Sequence, residues 1–257
     1  MHHRRVAIGL LPHPTSETAH YAVLDPDLRL LWLASAPYAD LPALVNRYPT
    51  ALVALAAPLG PSLGQLSNRA ALRERLGLNG TAEQVAAQMR ASDYQLRLLG
   101  LPIAPTPPAN QATPELQRLW SLVAQLRALG LQAYHPANPA PRQLLEVNPT
   151  ASFAVLIGRQ PYPANTLEGR LQRQILLFDQ GLPIPDPMAI FEEITRHRLL
   201  KGLLDLTGLH TPAELDALIT ALTAHIAATR SAHIQRLGDP LEGELVLPVA
   251  HLKPRYD

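Results

Sequence analysis

Hydrophobic positions along the chain change their period part of the way through. Val6–Leu11 is a short apolar run. Tyr21–Leu24 and Leu28–Leu33 flank Asp25-Pro26-Asp27, where a proline fixes φ and an Asx side chain suits a turn. Thr50–Ala57 is apolar almost without interruption, the pattern of a strand covered on both faces. These segments predict strands. The spacing then becomes helical. Thr81-Ala82-Glu83-Gln84 is a capping box, which predicts a helix running to Gly100 as the residue after its end. Thr113-Pro114, Asp186-Pro187 and Thr211-Pro212 each set a polar cap before a proline at the first helical position, and Gly130, Gly181 and Gly208 mark the expected stops. Between helices, Leu144–Asn148 predicts a strand with Glu146 and Asn148 on one face, and Gly243–Val249 predicts a closing strand.

Strands first, then strands alternating with helices, predict an α/β protein built on a mixed sheet flanked by helices. Residues 101–114 carry Pro102, Pro105, Pro107, Pro108 and Pro114 and predict an irregular connector. Neither side of it holds a full pattern alone, so residues 1–257 are expected to form a single domain.

Composition narrows the chemistry. The net charge of +1 balances 22 basic against 21 acidic side chains, so any polyanion site must be a local patch. With no cysteine, thiolate catalysis, disulfides, zinc knuckles and iron–sulfur clusters are excluded, and a reducing compartment is expected. The apolar run after Met1–Arg5 is interrupted by Gly9 and stopped by Pro12, too short for a secretory signal. No segment approaches the roughly 20 apolar residues of a membrane span. A cytoplasmic chain with no membrane partner is the expectation. Walker loop, GxGxxG, HExxH and H-x-E patterns are all missing.

Glu146, set between Leu145 and Val147, is a half-buried carboxylate at a strand end, placed to hold a divalent cation; the competing reading is a salt bridge to an arginine. Asp216 lies in the second turn of the helix opened by Thr211, at the margin of the Leu215, Leu218, Ile219, Leu222 and Ile226 stripe. It points into a cleft on one reading and serves the helix dipole on the other. Ala217, Ala221 and Ala224 suit close approach of that helix to a sheet. Arg69 with Arg73, and Arg170 with Arg173, are helical pairs able to clamp phosphate or to pair with carboxylates. Arg230, His233 and Arg236 form a similar stripe. Gly60-Pro-Ser-Leu-Gly64 satisfies G-x-S-x-G after a buried strand and nominates Ser62 as a hydrolase nucleophile, although Pro58 and Pro61 crowd the turn.

In order and spacing these segments resemble the predicted nucleases of domain of unknown function 429. The resemblance rests on Ala57-Pro-Leu-Gly60, Asn68–Gly77, Glu146-Val-Asn-Pro149 with Ser152-Phe153, Gly169-Arg-Leu-Gln-Arg173, Leu215-Asp-Ala217, and Glu242-Gly243 with Val246-Leu-Pro248. It implies a ribonuclease-H-like fold and metal-dependent phosphodiester hydrolysis with Mg²⁺ or Mn²⁺ on nucleic acid. The family's first-strand aspartate is missing from Val6–Leu11, and Ala56-Ala57 stands where the family has an aspartate before Pro-Leu-Gly. Carried over, Glu146 and Asp216 remain as catalytic and metal-binding residues, with Glu214 auxiliary. Two carboxylates suit one Mg²⁺ with waters better than a two-metal centre. A weak nuclease and a non-catalytic descendant binding nucleic acid or protein are the two main expectations, with a serine hydrolase behind them.

Overall fold

The computed structural model describes residues 5–13, 15–77, 89–193, 196–203 and 205–257. Its first turn follows from local chemistry. Asp25 Oδ1 accepts from the Asp27 and Arg29 amides at 2.8 Å each, and Leu28 takes a positive φ of 66° to close the loop. Leu28 therefore belongs to the turn, and the strand expected from it begins at Leu30. The flanking strands, β2 (Thr18–Leu24) and β3 (Leu30–Pro37), pair antiparallel.

β2 also pairs antiparallel with β1 (Val6–Pro12), which lies parallel to β4 (Ala51–Leu55). All five residues of β4 are buried, as its unbroken apolar run requires. β5 (Gln132–Ala133) and β6 (Arg142–Glu146) follow, then an antiparallel hairpin of β7 (Gln235–Asp239) and β8 (Gly243–Leu247). The order is β3-β2-β1-β4-β6-β8-β7, with β5 also on β6. This mixed sheet flanked by helices is consistent with the ribonuclease-H-like arrangement.

The described helices are α1 (Leu41–Asn46), α2 (Gln65–Asn68), α3 (Ala70–Arg75), α4 (Ala91–Leu98), α5 (Pro114–Ala128), α6 (Pro149–Ile157), α7 (Leu167–Asp179), α8 (Ala189–Glu193), α9 (Arg196–Lys201) and α10 (Pro212–Thr229). Thr113 and Thr211 cap α5 and α10 through their hydroxyls, with proline behind each.

α10 covers the face that carries Ala7, Ala54, Leu145 and Val246. α5 and α1 cover the other, which carries Ile8, Leu10, Leu55 and Leu144. Ala217 and Ala221 bring α10 against β1 as their size allows. A Cβ added to Gly9 would sit 2.3 Å from Ala221 N and 2.5 Å from Ala217 O, so glycine there is a packing requirement.

Several expectations change. The predicted helix start at Thr81 lies outside the described residues, and Arg90 is extended (ψ 153°), so the helix ending before Gly100 begins at Ala91. The stop expected at Gly208 falls at Gly202, with φ +63°, after α9. Arg230 closes α10, His233 sits in a 3-10 turn and Arg236 lies on β7, so they form no helical stripe. Asn148 is beyond β6 and caps α6 by accepting from Ala151 N at 2.9 Å. β7 was not expected, because Gln235–Asp239 alternates too weakly to stand out. No described helix is long and apolar enough to cross a membrane.

Candidate functional site

β1, β4 and β6 run in one direction, and β1 has an antiparallel neighbour on one side and a parallel one on the other. The strand order also switches there, with β2 and β3 on one side of β1 and β4 on the other, and open α/β sheets form a crevice beyond the carboxyl ends of their strands at such a switch. Here Ala56, Ala57 and Pro58 leave β4 while Val147 and Asn148 leave β6. They line a cavity of about 270 Å³ together with Asp93, Thr106 and Glu146. Ala56 and Ala57 also line an adjoining cavity of about 360 Å³ that reaches His13, Tyr38 and Arg118. The proline-rich connector borders the first cavity: Thr106 N donates to Asp93 Oδ2 at 2.8 Å, and Ser62 N donates to Pro107 O.

Glu146 ends β6 with 3% of its surface exposed. Its Oε1 accepts from Arg90 Nη1 at 3.1 Å, and its Oε2 accepts from Arg90 Nη2 at 2.9 Å and from Leu59 N at 3.0 Å. Arg90 itself is fully buried. Burial pushes the Glu146 carboxyl upward, and the guanidinium and the Leu59 amide pull it back. Burial opposes the charge on Arg90 too, yet Glu146, with Asp93 and Glu242, outweighs it and raises Arg90 above its ordinary range. The two-point geometry is that of an ion pair.

A shell of further carboxylates holds the surrounding loops. Glu242 accepts from the amides of Leu63 (2.8 Å), Gln65 (3.2 Å) and Ala91 (3.2 Å). Asp239 takes Arg69 Nη1 at 2.7 Å and Leu241 N at 3.0 Å. Burial raises the Asp93 carboxyl, with the Thr106 amide opposing it. The sequence alone assigns no role to Arg90, Asp93, Asp239 or Glu242. Two of them left a signal: Glu242 within the Glu242-Gly243 segment of the resemblance, and Asp93 as an acidic residue in the first turn after Arg90 that marks a helix start there.

Asp216 lies elsewhere. Glu146 is in register with Leu55, and Leu55 with Leu10, so its side chain leaves the sheet on the α5 face, whereas α10 covers the opposite face. The two carboxylates therefore belong to opposite faces of the sheet. Asp216 borders neither crevice cavity. Burial raises its carboxyl to about 6, with Arg173 opposing. Glu214 completes the capping box of α10, its Oε2 taking Thr211 N at 2.7 Å.

The four nominated arginines are not assembled around the crevice. Arg69 is extended before α3 and pairs with Asp239, so it shares no helical face with Arg73, which is half-buried on α3. Arg170 donates to the carbonyls of His210 (2.9 Å) and Leu209 (2.6 Å). Arg173 Nη1 donates to those of Tyr162 (2.7 Å) and Gly169 (3.0 Å), with the guanidinium 5.2 Å from the Phe153 ring centre. Ser62 is buried, and its Oγ accepts from Gly64 N at 3.3 Å. It comes well after the end of β4 at Leu55, where a nucleophile elbow passes straight from strand to helix.

A divalent cation does not fit the donors at Glu146. Both carboxylate oxygens are already bound, and a cation there would lie beside a buried guanidinium. No group of three or more metal-binding side chains exists among the described residues.

The fold is that of an α/β protein with a mixed sheet flanked by helices, consistent with a ribonuclease-H-like arrangement. The chain belongs to the family described as "Protein of unknown function (DUF429)", whose model matches residues 15–240. No curated protein and no solved structure matches it.

Proposed function

We propose that this chain is a non-catalytic member of its family, which keeps the crevice at its strand ends and uses it to hold a partner. The observation that carries this reading is the bidentate Arg90–Glu146 pair: the carboxylate best placed for a metal is neutralised from within. A two-metal phosphodiester mechanism needs carboxylates converging on cations about 4 Å apart. Glu146 and Asp216 face opposite sides of the sheet.

The character of the crevice favours a polypeptide over nucleic acid. Arg118 lies 3.9 Å from Glu17 and 3.7 Å from Glu115, and Glu146 is matched by Arg90. Among the nominated arginines, Arg69 is paired with Asp239, and Arg170 and Arg173 donate to carbonyls. A phosphate backbone would find little uncompensated positive charge, and phosphate contacts supply most of non-specific nucleic-acid affinity.

The test incubates the chain with single- and double-stranded DNA, RNA and a hybrid in Mg²⁺ and Mn²⁺, and measures binding to the same strands at low and moderate salt. The expected result is no cleavage and no steeply salt-dependent binding. Metal-dependent cleavage abolished by Glu146→Gln would overturn the proposal in favour of a one-metal nuclease. Tight binding that collapses with salt would replace the polypeptide with nucleic acid.

A further inference from the structure

The sheet is split along one edge. β4 occupies one side of β6 along its whole length, so β5 and β8 must share the other. β5 pairs there at Gln143 and Leu144, and β8 joins only further along, at Glu146 opposite Leu245. The wedge between β5 and the β7–β8 hairpin is a cavity of about 330 Å³, within the range of small-molecule sites.

Its chemistry is two-sided. Leu144, Leu145 and Val246 line it from the sheet, and Leu63 and Leu241, 51% and 65% exposed, line it as well. Exposed leucines beside a cavity are apolar surface that a ligand would cover. Arg127, His135 and Arg236 also line it, as do Glu244 and Glu242, the latter occupied by the amides of Leu63, Gln65 and Ala91. Arg236 is held by Glu244 at 2.8 Å. Arg127 and His135 are exposed, and no hydrogen bond or ion pair engages their side chains among the described residues. The cavity thus joins an apolar wall to a cationic group without a partner.

We propose that this cleft binds a small molecule with a short or flat apolar body and one anionic group, a carboxylate or phosphate ester. The body covers Leu63 and Leu241, and the anion meets the Arg127 guanidinium beside the His135 imidazole. This site is separate from the crevice at the strand ends and does not depend on what that crevice holds.

Phenyl phosphate and benzoate are suitable probes, with phenol and inorganic phosphate as their halves. Each is titrated into the full chain while the Leu241 and Val246 methyl resonances are followed. The expected result is saturable shifts with at least one of the two anionic aromatics, and weaker binding of phenol and of phosphate alone. Arg127→Gln should weaken the bound probe about tenfold or more, the size of one lost charge-assisted contact. Leu241→Ser should weaken it several-fold. Both positions are exposed, so both variants should keep the parent melting temperature. Which probe binds identifies the anion. Absence of saturable binding by either overturns the proposal. So does binding that neither variant alters, or phenol binding as tightly as the anions.

Discussion

Glu146 and Asp216 both face an arginine, and the two pairs lie on opposite sides of one sheet. On the α5 side the contact is saturated. Arg90 meets both oxygens of Glu146, Leu59 N adds a third donor, and both side chains are almost wholly inaccessible. On the α10 side the arginine is engaged elsewhere. Arg173 gives Nη1 to two backbone carbonyls and stacks on Phe153, while the Asp216 carboxylate accepts no hydrogen bond among the described residues. Burying a charge costs several kcal/mol, and attraction offsets that cost only with good geometry and every remaining site filled. An opposite charge nearby is therefore not the same as satisfaction. The first pair ties three distant segments together, while the second leaves a carboxyl that burial raises to about 6.

The largest expected effect breaks the first pair. Arg90→Met leaves Glu146 buried without its partner and should lower stability by about 3–5 kcal/mol, read from urea unfolding. Removing both charges, with Arg90→Met and Glu146→Leu together, should restore most of that loss, since no orphaned ion remains. A double variant as unstable as the single would show that the loops around Glu242, and not the ion pair, hold this corner.

This contrast also explains what was legible in the sequence. β1, β4, β6 and α10 announced themselves because burial imposes a period on apolar residues, and Thr211-Pro212 carried its own cap. Glu146 was recognisable as a carboxylate out of place in a strand, and the salt-bridge reading of it proved right. Its partner was not recognisable. Arg90 is 56 positions away and acts through a contact that only the folded sheet creates. Which side of the sheet Asp216 would take was hidden for the same reason. Strand order decides that, and apolar periodicity does not encode it.

The second largest effect tests the unsatisfied pair. In the folded chain Asp216 titrates near 6, against an ordinary value of 3.8, so the folded state binds its proton more tightly than the unfolded state does. Its contribution is then most favourable below about pH 4, is lost as pH rises towards 6, and stays constant above. Asp216→Asn should remove that slope and raise stability at pH 7 by up to about 3 kcal/mol. Urea midpoints at pH 4, 5, 6 and 7 measure it. Parallel curves for parent and variant would mean that Asp216 is as well solvated folded as unfolded.

The smallest effect asks what keeps Asp216 dry. Thr211 Oγ1 accepts from Glu214 N at 3.2 Å, and Glu214 returns the contact to Thr211 N, which fixes the first turn of α10 just ahead of Asp216. Thr211→Ala should cost about 1 kcal/mol. Fraying of that turn would also let water reach Asp216, so its carboxyl, followed by carbon NMR, should fall from about 6 towards the ordinary range. Glu146 should not respond, because its anchors at Leu59 and Arg90 belong to other segments. If stability drops while Asp216 still titrates near 6, the helix start is not what shields it. The cause would then be the α7 layer that carries Arg173, and the two carboxylates would be alike in being held by a neighbouring element.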